Sequence, residues 1–206
     1  MSTRADARAN RRLLLTTAAT VFKRDGADAS MKSIAREAQV GVGTLYRHFP
    51  TRDALVQALY EDEIQRLCSA AEALLETQEA EAALRTWMHR FIDFMDGKKE
   101  LGDVLKAVLV DEADRMRTRR RLADALQVLL AAGVQDQRFR MDVPAYDVLM
   151  ALGGTVLIAD GEAQTALRGR LVDLLIDGLR RPDGPDNPLR VPASLVMIAP
   201  PATSSC

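Results

Sequence analysis

Residues 39–50, QVGVGTLYRHFP, hold a dense set of groups that could contact a phosphate. Two glycines separated by one valine precede a threonine, a tyrosine, an arginine and a histidine, and a proline ends the run. Such glycines can lie in a loop around the phosphates of a nucleotide, or at the start of a short helix that meets the phosphates of DNA. The two interpretations require different spacings and different flanking elements.

The nucleotide-loop interpretation fails on both requirements. A dinucleotide fingerprint needs a third glycine three residues after the second, where this chain has Tyr46, and it needs a strand before the loop, where the pattern indicates a helix. A Walker-type loop needs a Gly-Lys-Ser/Thr sequence, and the run contains no lysine. The spacing instead favours a helix-turn-helix, with a turn at residues 39–41 and a third helix at residues 42–48 that enters the major groove.

The elements that position this run are predicted to be helices throughout. Apolar residues recur at helical spacing, and no segment shows sustained strand-like alternation. Ser30 and Thr51 are predicted helix N-caps. The expected fold is all-α, with nine helices at about residues 10–25, 31–38, 42–48, 52–75, 80–96, 100–115, 119–137, 145–159 and 163–179. Residues 182–206 hold six of the eight prolines, which predicts a disordered tail.

Composition is typical of a soluble globular protein of 206 residues, with 48% hydrophobic and 28% charged residues. No apolar run is long enough for a membrane helix and no secretory signal is evident, so we expect a cytoplasmic protein without a membrane association. Cys68 and Cys206 are too few for a disulfide framework or a four-ligand zinc site, and no metal or other cofactor is expected. Residues 1–52 carry ten basic and four acidic side chains, whereas the remainder is acidic, which indicates that the amino-terminal part contacts a polyanion.

The stretch SMKSIAREAQVGVGTLYRHFPTRDALVQALY resembles the amino-terminal DNA-binding region of the tetracycline-repressor (TetR) family over about residues 10–60. Two positions depart from the family pattern: Gln39 stands where relatives often have glycine, and Gly41 where they often have a capping serine. Carried over residue by residue, the resemblance implies phosphate contacts from Ser30, Lys32, Tyr46, His48 and Arg52. It implies base-edge or groove contacts from Val42, Gly43, Thr44 and Arg47.

The same resemblance implies a TetR-like architecture, which we divide into a helix-turn-helix domain at residues 1–52 and a regulatory and dimerisation domain at residues 53–181. Its last two helices are expected to form a homodimer, and apolar stripes on these helices support this independently of the family. The stripe residues are Leu149, Leu152, Val156, Leu171, Leu174 and Leu175. Large side chains without an obvious place in a stripe are candidates for an effector pocket: Trp87, Phe91, Met95, Tyr146 and Met150. Asp111 is a further candidate, as a carboxylate after an apolar run that could face a pocket or pair with Arg115.

The sequence therefore predicts a transcriptional regulator, a repressor that binds a palindromic double-stranded operator as a homodimer and is released by a small-molecule effector. One alternative keeps DNA binding but gives the carboxy-terminal domain protein contacts in place of a small molecule. A second alternative is a small helical enzyme. The sequence does not support it, because it contains no catalytic triad order, metal cluster or nucleotide loop. We expect no enzymatic activity.

Overall fold

The computed structural model describes residues 4–100, 111–158 and 164–181, and eight α-helices account for most of these residues. The all-α prediction is confirmed. Within the described ranges the one β-type pairing given is an isolated bridge between Phe139 and Arg180. The helices are α1 Arg4–Asp25, α2 Met31–Glu37, α3 Val42–His48, α4 Arg52–Leu75, α5 Ala80–Glu100, α6 Glu112–Gln135, α7 Ala145–Ile158 and α8 Thr165–Leu179.

The predicted division between the sixth and seventh helices needs correction. Residue 100 is the last residue of α5, and Glu112 already begins α6, seven residues before the predicted start at residue 119. The cause is local, because the side chain of Asp111 accepts a hydrogen bond from the backbone N–H of Ala113 and so caps the helix. Most of the predicted helix at 100–115, and the predicted tail at 182–206, lie outside the described residues.

Both predicted N-caps are confirmed. Ser30 accepts a hydrogen bond from the backbone N–H of Ser33 at 3.0 Å, and the Ser33 hydroxyl accepts one from the N–H of Ser30, which makes a reciprocal capping box. Thr51 accepts from the N–H of Ala54 at 3.0 Å. Because each cap satisfies donors that the first helical turn leaves unpaired, α2 and α4 begin at defined residues.

Buried apolar side chains form two clusters that share helix α4. The first packs α1, α2, α3 and the first half of α4, and its last member is Ile64. The second begins at Leu67 and packs the rest of α4 against α5, α6, α7 and α8. The domain boundary predicted after residue 52 lies at the start of α4, whereas the two clusters divide between Ile64 and Leu67. This helix therefore belongs to both halves and can transmit a displacement between them.

Trp87 lies at the centre of the second cluster. It is fully buried, its ring stacks against Phe91 with centroids 5.9 Å apart, and its indole Nε1 donates to the carbonyl of Leu67 at 2.9 Å. Because a buried indole N–H without a partner would be costly, this bond fixes α5 against α4.

The segment after α6 is held by close contact between the Gly133 backbone and the Phe139 ring and by backbone hydrogen bonds to α8. Gly133 lies where an added Cβ would overlap the ring of Phe139, which is itself buried. The backbone N–H of Arg140 then donates to Leu179 at 2.9 Å, and that of Arg181 donates to Arg138 at 2.8 Å. These bonds attach the segment after α6 to the end of α8.

Candidate nucleic-acid interface

The turn between α2 and α3 is a Schellman motif. The N–H of Gln39 donates to the carbonyl of Arg36 at 3.1 Å, and the N–H of Val40 donates to the carbonyl of Ala35 at 3.0 Å. This geometry requires a left-handed residue after the helix, and Gln39 occupies that position with φ 55°. The departure from the family glycine noted in the sequence thus falls on the residue whose backbone favours glycine most.

Helix α3 begins without a side-chain cap, as the glycine at its N-cap predicts. Gly41 has the extended backbone of an N-cap, and its carbonyl accepts from the N–H of Thr44 at 2.8 Å. It can offer no side-chain oxygen to the first turn. A Cβ added at Gly41 would meet only the Thr44 hydroxyl at 3.7 Å, which is ordinary contact. The missing cap is therefore not imposed by lack of space within the protein.

The seven residues of α3 divide into an inner and an outer face. Leu45 and the following Phe49 are buried in the first cluster and fix the rotation of the helix. On the outer face the side chains of Val42 and Tyr46 remain 40% and 46% exposed. Gly43 and Arg47 are also exposed, whereas Thr44 and His48 are half-buried. The structure thus gathers the six predicted contact residues of α3 on one short helix, with four of them open to a partner.

Charged side chains join α1 and α2, the two helices that precede α3. The guanidinium of Arg24 lies 2.7 Å from Asp25 and 3.0 Å from Glu37, so the end of α1 is joined to the end of α2. Hydrogen bonds to the two carboxylates raise the pKa of Arg24, and the bond from Arg24 lowers the pKa of Asp25. Because these groups are open to solvent, we regard the contact as one that orients the helices and contributes little to stability.

The remaining predicted DNA contacts flank α3. Lys32 is exposed in the first turn of α2, while the hydroxyl of Ser30 is already engaged in the capping box. At the start of α4 the guanidinium of Arg52 lies over the ring of Phe22, 5.4 Å from its centroid. A cation held over an aromatic face is restricted in position, so Phe22 orients the side chain of Arg52.

Arg11 is not among the predicted DNA contacts, although the sequence allows either a basic arm of Arg4, Arg8, Arg11 and Arg12 or an ordinary helix start. The guanidinium of Arg11 lies 5.2 Å from the centroid of the Phe49 ring, at the end of α3, and the residue is exposed. Spacing along the chain could not reveal this contact, because residues 11 and 49 are distant in the sequence and meet only in the folded protein. The excess of basic residues in the amino-terminal quarter was the one available signal.

The structure does not bring the six predicted pocket residues together. Trp87 and Phe91 fill the second core cluster, and Met95 packs at its edge. Asp111 caps the start of α6 from an exposed position. On α7, Tyr146 is half-buried and Met150 is 46% exposed. The sequence pattern could not separate these roles, because large apolar side chains suit a core as well as a pocket.

The six predicted dimer residues also divide. Leu149, Leu152 and Val156 are buried inside the protomer's own second cluster, while Leu171 and Leu175 are half-buried and Leu174 is 67% exposed. The apolar residues of α7 that remain exposed are Met150 and Leu157, the latter at 71%. On α7 the exposed apolar residues thus differ from the predicted stripe, whereas on α8 the predicted Leu174 is exposed.

Within residues 4–100, 111–158 and 164–181, the His, Cys, Asp and Glu side chains form no group of three or more that could hold a metal ion. None of the helices described has the length and apolar character needed to cross a membrane.

Comparisons with known proteins agree with this geometry. Residues 14–59 match the family model described as bacterial regulatory proteins, tetR family, and residues 79–181 match the one described as transcriptional regulator SbtR-like, C-terminal domain. The crystal structure of the TetR transcriptional regulator SCO0520 from Streptomyces coelicolor is 40% identical, with a TM-score of 0.74 over 82% of this chain and 98% of that chain. A TetR transcription regulatory protein from Mycobacterium vanbaalenii is 32% identical, with a TM-score of 0.70 over 86% of this chain and 99% of that one.

A curated relative matches over a shorter region. The HTH-type transcriptional regulator SAR0097 of Staphylococcus aureus is 37% identical over 75 residues. This match spans 35% of the present chain and 39% of that regulator.

Proposed function

The chain belongs to the TetR family of transcriptional regulators and carries its helix-turn-helix DNA-binding domain, and from this premise we propose that it is a ligand-responsive repressor that binds a palindromic operator as a homodimer. The observation that carries the proposal is the exposed outer face of α3, held by buried Leu45 and Phe49. A short helix presented in this way has the shape that the major groove admits.

Two kinds of DNA contact are expected at this face. Arg47 is exposed near the end of α3 and can donate to the edge of a guanine, whereas Arg52 and Lys32 flank the helix where phosphates would pass. Contacts to base edges select a sequence, and contacts to phosphates set the register and make binding depend on salt. The two arginines can therefore be told apart by experiment.

The test begins with selection of duplexes from a randomised library by the full chain. We expect a palindrome whose half-sites lie about one helical turn, roughly 10 base pairs, or a multiple of it, apart. Arg47→Ala should relax the base preference at one position of each half-site. Arg52→Ala should lower affinity for all duplexes and reduce the salt slope by about one unit per half-site. The control is Arg120→Ala, which changes an exposed arginine on α6 outside the predicted DNA contacts. Selection of no sequence at all by the unchanged chain would refute the proposal.

Dimerisation is proposed on the exposed apolar faces of α7 and α8. Met150 and Leu157 lie on α7, with Gly153 and Gly154 between them, and Leu174 lies on α8. A Cβ built at either glycine meets nothing within 4 Å, so this surface is low enough for a second helix to approach closely. Contact between these exposed apolar side chains and water is unfavourable, and a second copy of the chain would cover them.

Light scattering after size exclusion tests this face. The unchanged chain should run as a dimer at micromolar concentration, and Leu157→Glu or Leu174→Glu should shift it to the monomer because a carboxylate would be buried without a partner. Val128→Glu changes an exposed apolar residue of α6, outside the proposed interface, and should leave the dimer intact. Monomers for all four proteins would exclude this interface.

The response to a small molecule rests on the division of the core within α4. A ligand can act only if it binds the DNA-free and DNA-bound conformations with different affinity. The second candidate, a carboxy-terminal half that contacts a protein, predicts no such coupling. A thermal-shift screen against metabolites, followed by operator release, separates the two, because only the first candidate predicts a compound that both raises Tm and lowers DNA affinity.

A further inference from the structure

A cavity of about 570 Å³ lies where α1, α4 and α5 meet. Its walls combine α1 of the DNA-binding half with α5 of the regulatory half, and α4 passes between them. The volume falls in the range of roughly 300–1,000 Å³ that is typical of small-molecule sites. None of the six pocket residues predicted from the sequence lines it. A molecule bound here would touch both halves of the protein.

The apolar part of the wall is aromatic. Phe22 of α1, Tyr60 of α4 and Phe94 of α5 line it, and the rings of Tyr60 and Phe94 lie with centroids 5.7 Å apart. Tyr60 and Phe22 are buried, whereas Phe94 is half-buried. Rings in this arrangement can pack against a flat or chain-like apolar body.

Several charged side chains of the cavity wall form ion pairs with other side chains of the protein. Arg66 lies 2.7 Å from Asp62 and 3.5 Å from the lining residue Glu63. The lining residue Asp96 pairs with Arg168 on α8. These contacts leave the cavity with fewer charges to offer a ligand than its list of ionisable residues suggests.

Two lining cations remain. Lys23 of α1 and Arg90 of α5 are both exposed, and among the described residues neither has an ion-pair partner. The lining residues themselves carry three basic and three acidic side chains, so the cavity has no net charge. Lys23 and Arg90 are nevertheless the lining cations whose N–H groups remain available to an anion.

Phe22 links the cavity to the DNA-binding surface. Phe22 lines the cavity, and the centroid of its ring also lies 5.4 Å from the guanidinium of Arg52. Arg52 is the first residue of α4 and a proposed phosphate contact. A ligand that moves the Phe22 ring would therefore alter one of the contacts that position Arg52.

We propose that this cavity binds an amphipathic organic acid, with its apolar body against Phe22, Tyr60 and Phe94 and its acid group at Lys23 and Arg90. Occupancy displaces Phe22 from Arg52 and weakens the phosphate contact. The DNA-release part of this proposal rests on the proposed repressor function, whereas the binding part does not. Loss of one phosphate contact corresponds to the lower end of allosteric coupling, about fivefold in DNA affinity.

The binding test uses two fluorescent probes of similar shape: 1-anilinonaphthalene-8-sulfonate, which is an anion, and N-phenyl-1-naphthylamine, which lacks the sulfonate. Lys23→Gln and Arg90→Gln should each weaken the anionic probe about two- to fivefold, and roughly tenfold together, as expected for exposed ion pairs. The neutral probe should bind the variants and the unchanged chain alike. Arg120→Gln is the matched control, and Ala19→Phe, which fills the cavity from α1, should weaken both probes.

Competition identifies the body of the acid. Displacement of the anionic probe by 2-naphthoate indicates an aromatic body, and displacement by dodecanoate indicates an acyl chain; either supports the proposal. Equal loss of both probes in the Lys23 and Arg90 variants would overturn the charge assignment. Unchanged binding of both probes in all variants, with unfolding curves like that of the unchanged chain, would overturn the site.

The DNA test is separate. The anionic probe should lower operator affinity of the unchanged chain about fivefold, and Arg52→Ala should retain probe binding but lose this response. Probe binding without any DNA binding would refute the proposed function and leave the cavity assignment standing. DNA binding by the unchanged chain, together with failure of both probes and both acids to bind it, would refute the cavity assignment alone.

Discussion

Replacing Gln39 by glycine should stabilise the protein. Gln39 is held at φ 55° by the two hydrogen bonds of the Schellman motif, and a residue with a Cβ loses about 1–2 kcal/mol in this region. Glycine avoids that cost but loses more backbone entropy on folding, by roughly 0.5–1 kcal/mol. The expected net gain is about 0.5–1 kcal/mol. For a chain of this size it corresponds to a rise in Tm of about 1–4 °C.

The measurement is thermal unfolding at one protein concentration, because oligomerisation makes Tm depend on concentration. Gln39→Ala is the control, since alanine removes the side chain but retains the Cβ and its strain. We expect this control to lie at or slightly below the Tm of the unchanged chain. A glycine variant no more stable than the alanine variant would show that backbone strain at this turn is not what the φ angle indicates.

Three further substitutions test other local features. Gly133→Ala should destabilise by about 1–3 kcal/mol or more, because its Cβ would overlap the ring of Phe139; an unchanged denaturation midpoint would contradict the close approach. Gly41→Ser should supply the missing cap and raise stability by a few tenths of a kcal/mol, roughly, whereas an alanine there should not. Glu81→Gln should lower Tm by about 1–2 °C near pH 7, because Arg180 donates to Glu81 at 2.6 Å and lowers its pKa. A folded-state pKa below the unfolded-state pKa contributes stability that is fully present above the unfolded-state pKa and is lost on acidification through the folded-state pKa. The Tm difference should therefore shrink as the pH is lowered, and a constant difference would exclude this linkage.

The elements with strong local signals could be predicted from the sequence. Ser30 and Thr51 are side chains whose capping role depends only on the next few residues, and both act as predicted. Proline at position 50 ends α3 at the expected place, since the residue before a proline is driven from helical geometry. The recognition face could therefore be predicted as a set of neighbours along the chain.

Features that depend on packing between distant segments could not be predicted. Arg11 on α1 contacts the ring of Phe49, which is distant in the sequence, and the cavity requires Phe22, Tyr60 and Phe94 to come together from three helices. The apolar stripe on α7 predicts an outer, dimer-forming face because apolar residues recur at helical spacing. Periodicity locates one apolar face on a helix but does not indicate whether the protomer or a partner covers it.

Trp87 is the chain's one tryptophan, and its position gives the protein an intrinsic optical reporter. The indole is fully buried and hydrogen-bonded to the carbonyl of Leu67, and Leu67 also lines the cavity between the two halves. Emission from this single ring therefore arises from a dry environment one residue away from the proposed ligand. Its wavelength and intensity can be followed without any label while the cavity fills or DNA is released.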